Sequence, residues 1–442
     1  MTYQEARGYI GERGKLGSVL GLETMTRLMD RLGNPQDQLK IVHVAGTNGK
    51  GSTVAILASI LDASGYRVGC YNSPAVFDVR EQIRVNGKWI GEEDVAEGID
   101  CIKAAITQME QAGEPGPTSF EVETALAFWY FAKCGCEIGV IEVGLGGDLD
   151  ATNIVKSTVC SVITSLSYDH MGILGNTLEE IALHKAGILR PMTPAVLDTF
   201  GETPERKRAW DVIREECRKK KVCLYTTEPY EVQFVGVEDG RQIFHYRKYW
   251  NLKMSMAGRY QVYNACLAIE AADELARQGM HITEQDIRVG IERASWPGRF
   301  ERIHSRPTVI LDGAHNPGGA ARLRESLDLY FTNKRILYIM GVLGDKDYQD
   351  VIRITHSAAD LIYTVTPPNP RALPAKQLAE AVSRFHDPKK VRPCEGIEET
   401  LTQALEEAGE EDVILAFGSL YYLGDLKRCL DALDGQRADA SK

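Results

Sequence analysis

Apolar residues along this 442-residue chain fall into two alternating patterns. Runs at "KIVHV" (40–44), "RVGCY" (67–71), "IGVIEV" (138–143) and "STVCSVIT" (157–164) are near-continuously apolar, as parallel strands covered on both faces must be. Between them, helical spacing predicts helices over 93–110 and 124–135. The alternation predicts a doubly wound α/β sheet. From 231 to 256 the pattern shifts to short β runs, "RQIFHYRKYW" and "LKMSMAG", and a helix is predicted over 263–279. Proline and glycine in "SWPGRF" (295–300) break the periodicity and mark a boundary. The alternation then restarts with "TVILDGA", a helix from about 317, "RILYIMG", a helix near 348, "LIYTV", two further helices, "DVILAFG" and a last helix near 420. Two α/β domains are expected, 1–296 and 297–434, with the polar end 435–442 frayed.

Composition narrows the class. Hydrophobic content of 44% and charged content of 26% suit a soluble globular protein. No apolar run reaches the roughly 18 to 20 residues that span a bilayer, and "MTYQEARGYIGERG" lacks a signal-peptide core, so a cytoplasmic protein without membrane partners is expected. With 62 acidic against 51 basic residues the net charge is −11, which disfavours a broad nucleic-acid surface. The ten cysteines are scattered without a CxxC, which indicates neither zinc nor a disulfide framework.

The candidate chemistry begins at "HVAGTNGKGSTVA" (43–55), where a strand runs through a glycine-rich turn into a helix. The phosphate-loop pattern G-x-x-x-x-G-K-[ST] is matched imperfectly: Val44 takes the first glycine position, and Gly51 displaces the hydroxyl to Ser52. Backbone N–H groups across Gly46, Thr47, Asn48, Gly49, Lys50, Gly51 and Ser52, with the helix dipole and Lys50, suit a phosphate. Ser52 or Thr53 offers a hydroxyl to magnesium. Glu142 ends a strand at the carboxyl edge of the sheet, and His170 follows another strand. Lys185 lies on a helix whose start carries a capping pattern, Thr177 and Glu180. The bland alternatives are a glycine-rich turn, a structural histidine and a solvated lysine.

The spelling G-T-N-G-K-G-S resembles the ATP-dependent Mur ligase superfamily, and within it the folylpolyglutamate synthase and dihydrofolate synthase family. "SP" (73–74), "REQIRVNG" (80–87), "SFE" (119–121), "IEVGLGGDLDATN" (141–153), "DHMGILGNTLEEIALHKAGI" (169–188), "WPGRFE" (296–301), "LDGAHNPGG" (311–319) and "GDKD" (344–347) are similar to family segments in family order. The resemblance implies a large P-loop-type ATP-binding domain with a folate-binding loop, followed by a smaller Rossmann-like glutamate-ligase domain. It implies ATP, two magnesium ions and N6-carboxylysine at Lys185, with a monovalent cation as a further candidate. Metal ligands would be Ser52, Glu142, His170 and carbamylated Lys185. Arg299, Asp312 and Asn264 would contact nucleotide, and Lys50, Lys185, His170, Asp312 and His315 would be catalytic. Ser73, Pro74, Phe77, Arg80, Glu121, Asp150 and His315 would meet the substrates, a reduced folate and L-glutamate, in a monomeric enzyme.

The pattern also departs from the family. Ala75 and Val76 follow "SP" where many relatives carry histidine; Asp148 stands where many have arginine, and His184 where many have glutamate. These departures favour glutamate addition to a reduced folate over addition to dihydropteroate, which stays open as a sole or second activity. A nucleotide-dependent switch is the alternative from a different class.

Overall fold

The computed structural model describes every residue except Lys15, Leu16, Ser18, Val19, Ser441 and Lys442. The first sheet has eight strands: β1 (Lys40–Ala45), β2 (Val68–Tyr71), β3 (Ile83–Val85), β4 (Lys88–Trp89), β5 (Ile138–Glu142), β6 (Thr158–Ile163), β7 (Ala195–Asp198) and β8 (Leu224–Thr227). Their order is β4-β3-β2-β5-β1-β6-β7-β8. The expected parallel strands are present, and β1 lies at the centre between β5 and β6. An antiparallel edge of β3 and β4, absent from the sequence reading, extends the sheet beyond β2.

Both faces are covered, as the apolar runs require. One carries the helices Glu92–Gln111 and Ser119–Lys133, the other Lys50–Ala63, Arg259–Arg277 and Glu284–Arg293. The helix Lys50–Ala63 is buried on every side from Gly51 to Leu57, where its residues are glycine, small hydroxyls and apolar side chains. A three-stranded antiparallel sheet, β9 (Val232–Glu238), β10 (Arg241–Tyr246) and β11 (Tyr249–Met254), matches the short β runs.

Past the Pro297–Gly298 break, a six-stranded sheet is built from β12 (Glu301–Ser305), β13 (Thr308–Leu311), β14 (Ile336–Met340), β15 (Leu361–Thr364), β16 (Val391–Pro393) and β17 (Val413–Phe417). Its order is β12-β13-β17-β14-β15-β16, with β12 antiparallel and the rest parallel. The last helix runs from Leu423 to Ala440, so most of the stretch expected to fray is helical. The loops after β1 and β13, at the carboxyl edges of the two sheets, face each other.

The helix that carries the phosphate loop is held by close packing. A Cβ on Gly290, in Glu284–Arg293, would lie 2.4 Å from the Ile60 Cα. Gly290→Ala is therefore expected to cost ~1–3 kcal/mol through overpacking, seen as a lower denaturation midpoint; an unchanged midpoint would refute this packing.

Candidate active site

Two glycines set the loop after β1. Gly46 has φ 146° and Gly49 φ 92°, conformations that side chains strongly disfavour. Bare backbone also allows close approach: a Cβ on Gly49 would sit 2.3 Å from the Asn264 Oδ1. Asn264 is held there by its Nδ2 donating to Gln261 (2.8 Å). One of the N–H groups expected to face a phosphate is engaged within the protein. The Thr47 N–H is committed to the Ser165 carbonyl (2.8 Å), whereas the first-turn N–H groups of the helix starting at Lys50 have no intrahelical partner.

Lys50 and Lys185 converge on one carbonyl. Lys185 Nζ donates to Gly46 O at 2.8 Å, and Lys50 Nζ donates to Gly46 O and Thr47 O, both at 3.2 Å. Lys185 is only 4% exposed. Burial first, and the Lys50 charge second, lower its pKa to about 7. Lys50 also lies 4.0 Å from Glu142 Oε1. Glu142, buried at the end of β5, accepts from Asn72 Nδ2 (2.9 Å) and the Ser73 N–H (3.4 Å) through Oε2. Burial raises its pKa, against Lys50 and Asn72.

The loop after β6 packs on the phosphate loop. Thr47 Oγ1 donates to Ser167 O (3.0 Å), and Asn48 Nδ2 to Ser167 Oγ (3.0 Å). Next come Asp169 and His170. Asp169, which the sequence reading did not single out, meets three groups from the second domain: Lys346 Nζ (2.6 Å), Asn316 Nδ2 (3.1 Å) and His315 Nε2 (3.6 Å). Burial opposes its charge, but His315, His170 and Lys346 outweigh that and hold its pKa far below the carboxylate range. His170 has φ 51° and an exposed side chain whose Nε2 lies 3.9 Å from Asp169. Surrounding protein, with Lys346 and Lys50, lowers its pKa to about 4.

On the second domain, Asn316 caps the helix Pro317–Tyr330 through Gly319 N (2.8 Å) and exchanges amide hydrogen bonds with Asn48. His315 Nδ1 pairs with Gly313 O (2.8 Å), and its Nε2 faces Asp169. Asp312, expected at nucleotide or amino acid, is buried and saturated. It accepts from Tyr260 Oη (2.8 Å), Phe300 N (2.9 Å) and Ala314 N (2.8 Å), and so joins the two domains at the hinge. The Arg299 guanidinium fits against Gly313, where a Cβ would be 1.9 Å from Nη1.

The residues expected to meet folate do not converge as one set. Ser73 and Pro74 follow Asn72 beside Glu142. Phe77 packs with Val76 on the second-domain core instead of standing free to stack. Arg80 is paired with Asp78 (2.8 Å) and Glu92 (3.2 Å). Glu121 is a helix-capping residue: its carboxylate accepts from Thr118 N (2.8 Å) and Oγ1 (2.9 Å). Asp150 fixes a turn by accepting from Leu145 N (2.8 Å), Thr152 N (3.0 Å) and Thr152 Oγ1 (2.5 Å). These carboxylates satisfy local backbone, which a sequence motif does not reveal.

Among the described residues no three His, Cys, Asp or Glu side chains form a ready metal cluster. Magnesium takes several ligands from phosphate and water, so fewer protein oxygens suffice. Glu142 Oε1 and the buried Ser52 hydroxyl fit that requirement; Lys185 fits it only as a carbamate.

The profile of the Mur ligase middle domain matches residues 44–272, and that of the Mur ligase, glutamate ligase domain matches 298–420. The dihydrofolate synthase/folylpolyglutamate synthase of Bacillus subtilis is 37% identical over 437 residues, covering 97% of this chain and 99% of the relative. The crystal structure of folylpolyglutamate synthase from Thermotoga maritima superposes with a TM-score of 0.82 at 33% identity, covering 97% of this chain and 96% of that one. Escherichia coli FolC in complex with DHPP and ADP gives a TM-score of 0.82 at 32% identity, covering 98% of each chain. With matching domains in matching order and relatives similar over nearly their whole length, the chain belongs to the folylpolyglutamate synthase/dihydrofolate synthase family of Mur ligases.

Proposed function

We propose that this chain is an ADP-forming ligase that joins L-glutamate to the γ-carboxylate of tetrahydrofolate or a folylpolyglutamate through an acyl phosphate. The observation that carries this reading is the meeting of Lys50, Glu142 and Lys185 at the phosphate loop, with His315, Asn316 and Lys346 of the second domain facing them across Asp169. A carboxylate is a poor electrophile, and bringing it to a triphosphate is costly: two unit charges about 4 Å apart repel by roughly 4 kcal/mol at an effective dielectric of about 20.

Lys50 offsets that repulsion by turning from the Gly46 and Thr47 carbonyls onto the phosphates. The helix N-terminus after Gly49 orients them, and Arg299 supplies a second cation from the hinge. Ser52, Glu142 and carbamylated Lys185 would hold magnesium, which supplies charge stabilisation on the transferring phosphoryl group. His170 is kept neutral beside this site, and His315 is assigned to the incoming amino acid. Contacts between the domains exclude water from the activated acid. The dual name of the Bacillus subtilis relative and the complex of FolC with DHPP support dihydropteroate as a second acceptor.

Purified protein given magnesium-ATP, glutamate and either tetrahydrofolate or dihydropteroate is expected to release ADP and phosphate and to lengthen the pterin by one glutamate, followed by mass. Formation of AMP, or turnover without a pterin acceptor, would overturn the reading. Lys50→Ala is expected to lower kcat by ~10²–10³-fold with the fold intact by circular dichroism.

The Lys185 amine holds its proton to about 10.5 when unfolded but only to about 7 when folded. Between those values the unfolded chain binds the extra proton, so this group's contribution to stability rises with pH; below them the full burial penalty remains. In carbon-dioxide-free buffer, the stability of the parent relative to Lys185→Met should therefore increase from pH 7 to 10, measured by urea denaturation. A pH-independent difference would contradict the depressed pKa. With ¹³C-bicarbonate, a carbamate signal in the parent and none in Lys185→Met is the expected NMR result.

A further inference from the structure

We propose that Arg84 is a positioning residue that ties the domain hinge to the Glu142 carboxylate. Arg84 lies on β3 opposite Cys70 of β2 and is 9% exposed. Among the described residues it makes no ion pair, and its Nε is buried without a partner. Such a cation is expensive to keep without a task.

Its contacts run in two directions. The guanidinium carbon stacks 4.4 Å from the ring centroid of Trp296, the first residue of the hinge motif "WPGR". Trp296 is itself buried, with its edge on the phosphate-loop helix: a Cβ on Gly51 would lie 2.8 Å from Trp296 Nε1. In the other direction, Arg84 Nη2 donates to Asn72 Oδ1 (2.8 Å) and to Cys70 Sγ (3.3 Å). Arginine can only donate, so it forces the carbonyl end of the fully buried Asn72 amide toward itself. The amide's Nδ2 is thereby turned to Glu142 Oε2 (2.9 Å). Cys70 Sγ also donates to Asn72 Oδ1 (3.1 Å); without the guanidinium the amide keeps only this weaker donor on its oxygen, and its hold on Glu142 loosens. Hinge indole, arginine, asparagine and glutamate thus form one continuous relay, in which movement of Trp296 is felt at Glu142.

The inference rests on the ligase reading and is tested separately from it. Parent protein that makes no ADP with folate and glutamate ends that reading; active parent with an equally active, folded Arg84→Met ends this one. Arg84→Met, Arg84→Lys, Trp296→Leu and the double variants are compared by kinetics and by EPR titration of Mn²⁺ into protein saturated with a non-hydrolysable ATP analogue. Arg84→Met is expected to lower kcat at least tenfold and weaken Mn²⁺ binding at least fivefold, while KM for ATP moves less than threefold. Arg84→Lys should recover part of the loss, because it restores a donor to Asn72. Trp296→Leu should act in the same direction, and Arg84→Met/Trp296→Leu should be no worse than the poorer single variant. Multiplying losses in the double variant, or unchanged Mn²⁺ affinity in folded Arg84→Met, would overturn the relay. Should Arg84→Met fail to fold, Arg84→Lys with Trp296→Leu completes the same cycle, with the same two outcomes deciding.

Discussion

A single carboxylate governs how the two sheets face each other. Asp169 sits on the first domain with 10% of its side chain exposed, and Lys346, Asn316 and His315 reach it from the second. Leaving such a buried charge without partners costs ~3–5 kcal/mol, so the approach of the second domain is fixed by where Asp169 is held. That position is set in turn by the preceding Ser165–Ser167 stretch, which is bonded to Thr47 and Asn48. Asn316 closes the circuit: it caps its own helix, touches Asp169 and exchanges bonds with Asn48. Loop conformation and domain closure are therefore one equilibrium.

Most of the architecture was legible because it is written locally. Central strands carry continuous apolar runs, and the Thr177–Glu180 capping box announces the helix that ends at Lys185. The short strands β3, β4 and β16 have two or three residues each, too few to carry a period. The helix Ser119–Lys133 begins ahead of the predicted 124–135 for a different reason: Thr118 and Glu121 form its capping box, and the same glutamate falls in the family segment "SFE", so the capping signal is masked. In the site, Glu142 was legible from its place at a strand end. Asn72, Arg84, Asp169 and Lys346 were not, since their roles are relations across 12 to 177 positions that no single chain displays.

Two apparent departures from the family become one. Asp148 and His184, which stand where many relatives are expected to carry arginine and glutamate, touch each other: His184 Nδ1 lies 3.0 Å from both carboxylate oxygens of Asp148. The contact ties the loop after β5 to the helix that ends at Lys185, so the two positions act as one structural unit and carry less information about the acceptor than two independent ones would.

The shared carbonyl of Gly46 also orders events at the loop. Two lysines on one oxygen stand close enough that the Lys50 charge helps depress Lys185. Moving Lys50 onto a phosphate removes that cation from the neighbourhood, and the phosphate adds negative charge. Both changes favour the protonated form of any amine left at position 185. A carbamate can form only on the neutral amine. On the proposed mechanism, burial keeps part of the Lys185 amine neutral throughout, and modification is most favoured while Lys50 still rests on Gly46, before the nucleotide settles; once formed, the carbamate is an anion that Lys50 and a metal ion can hold in place.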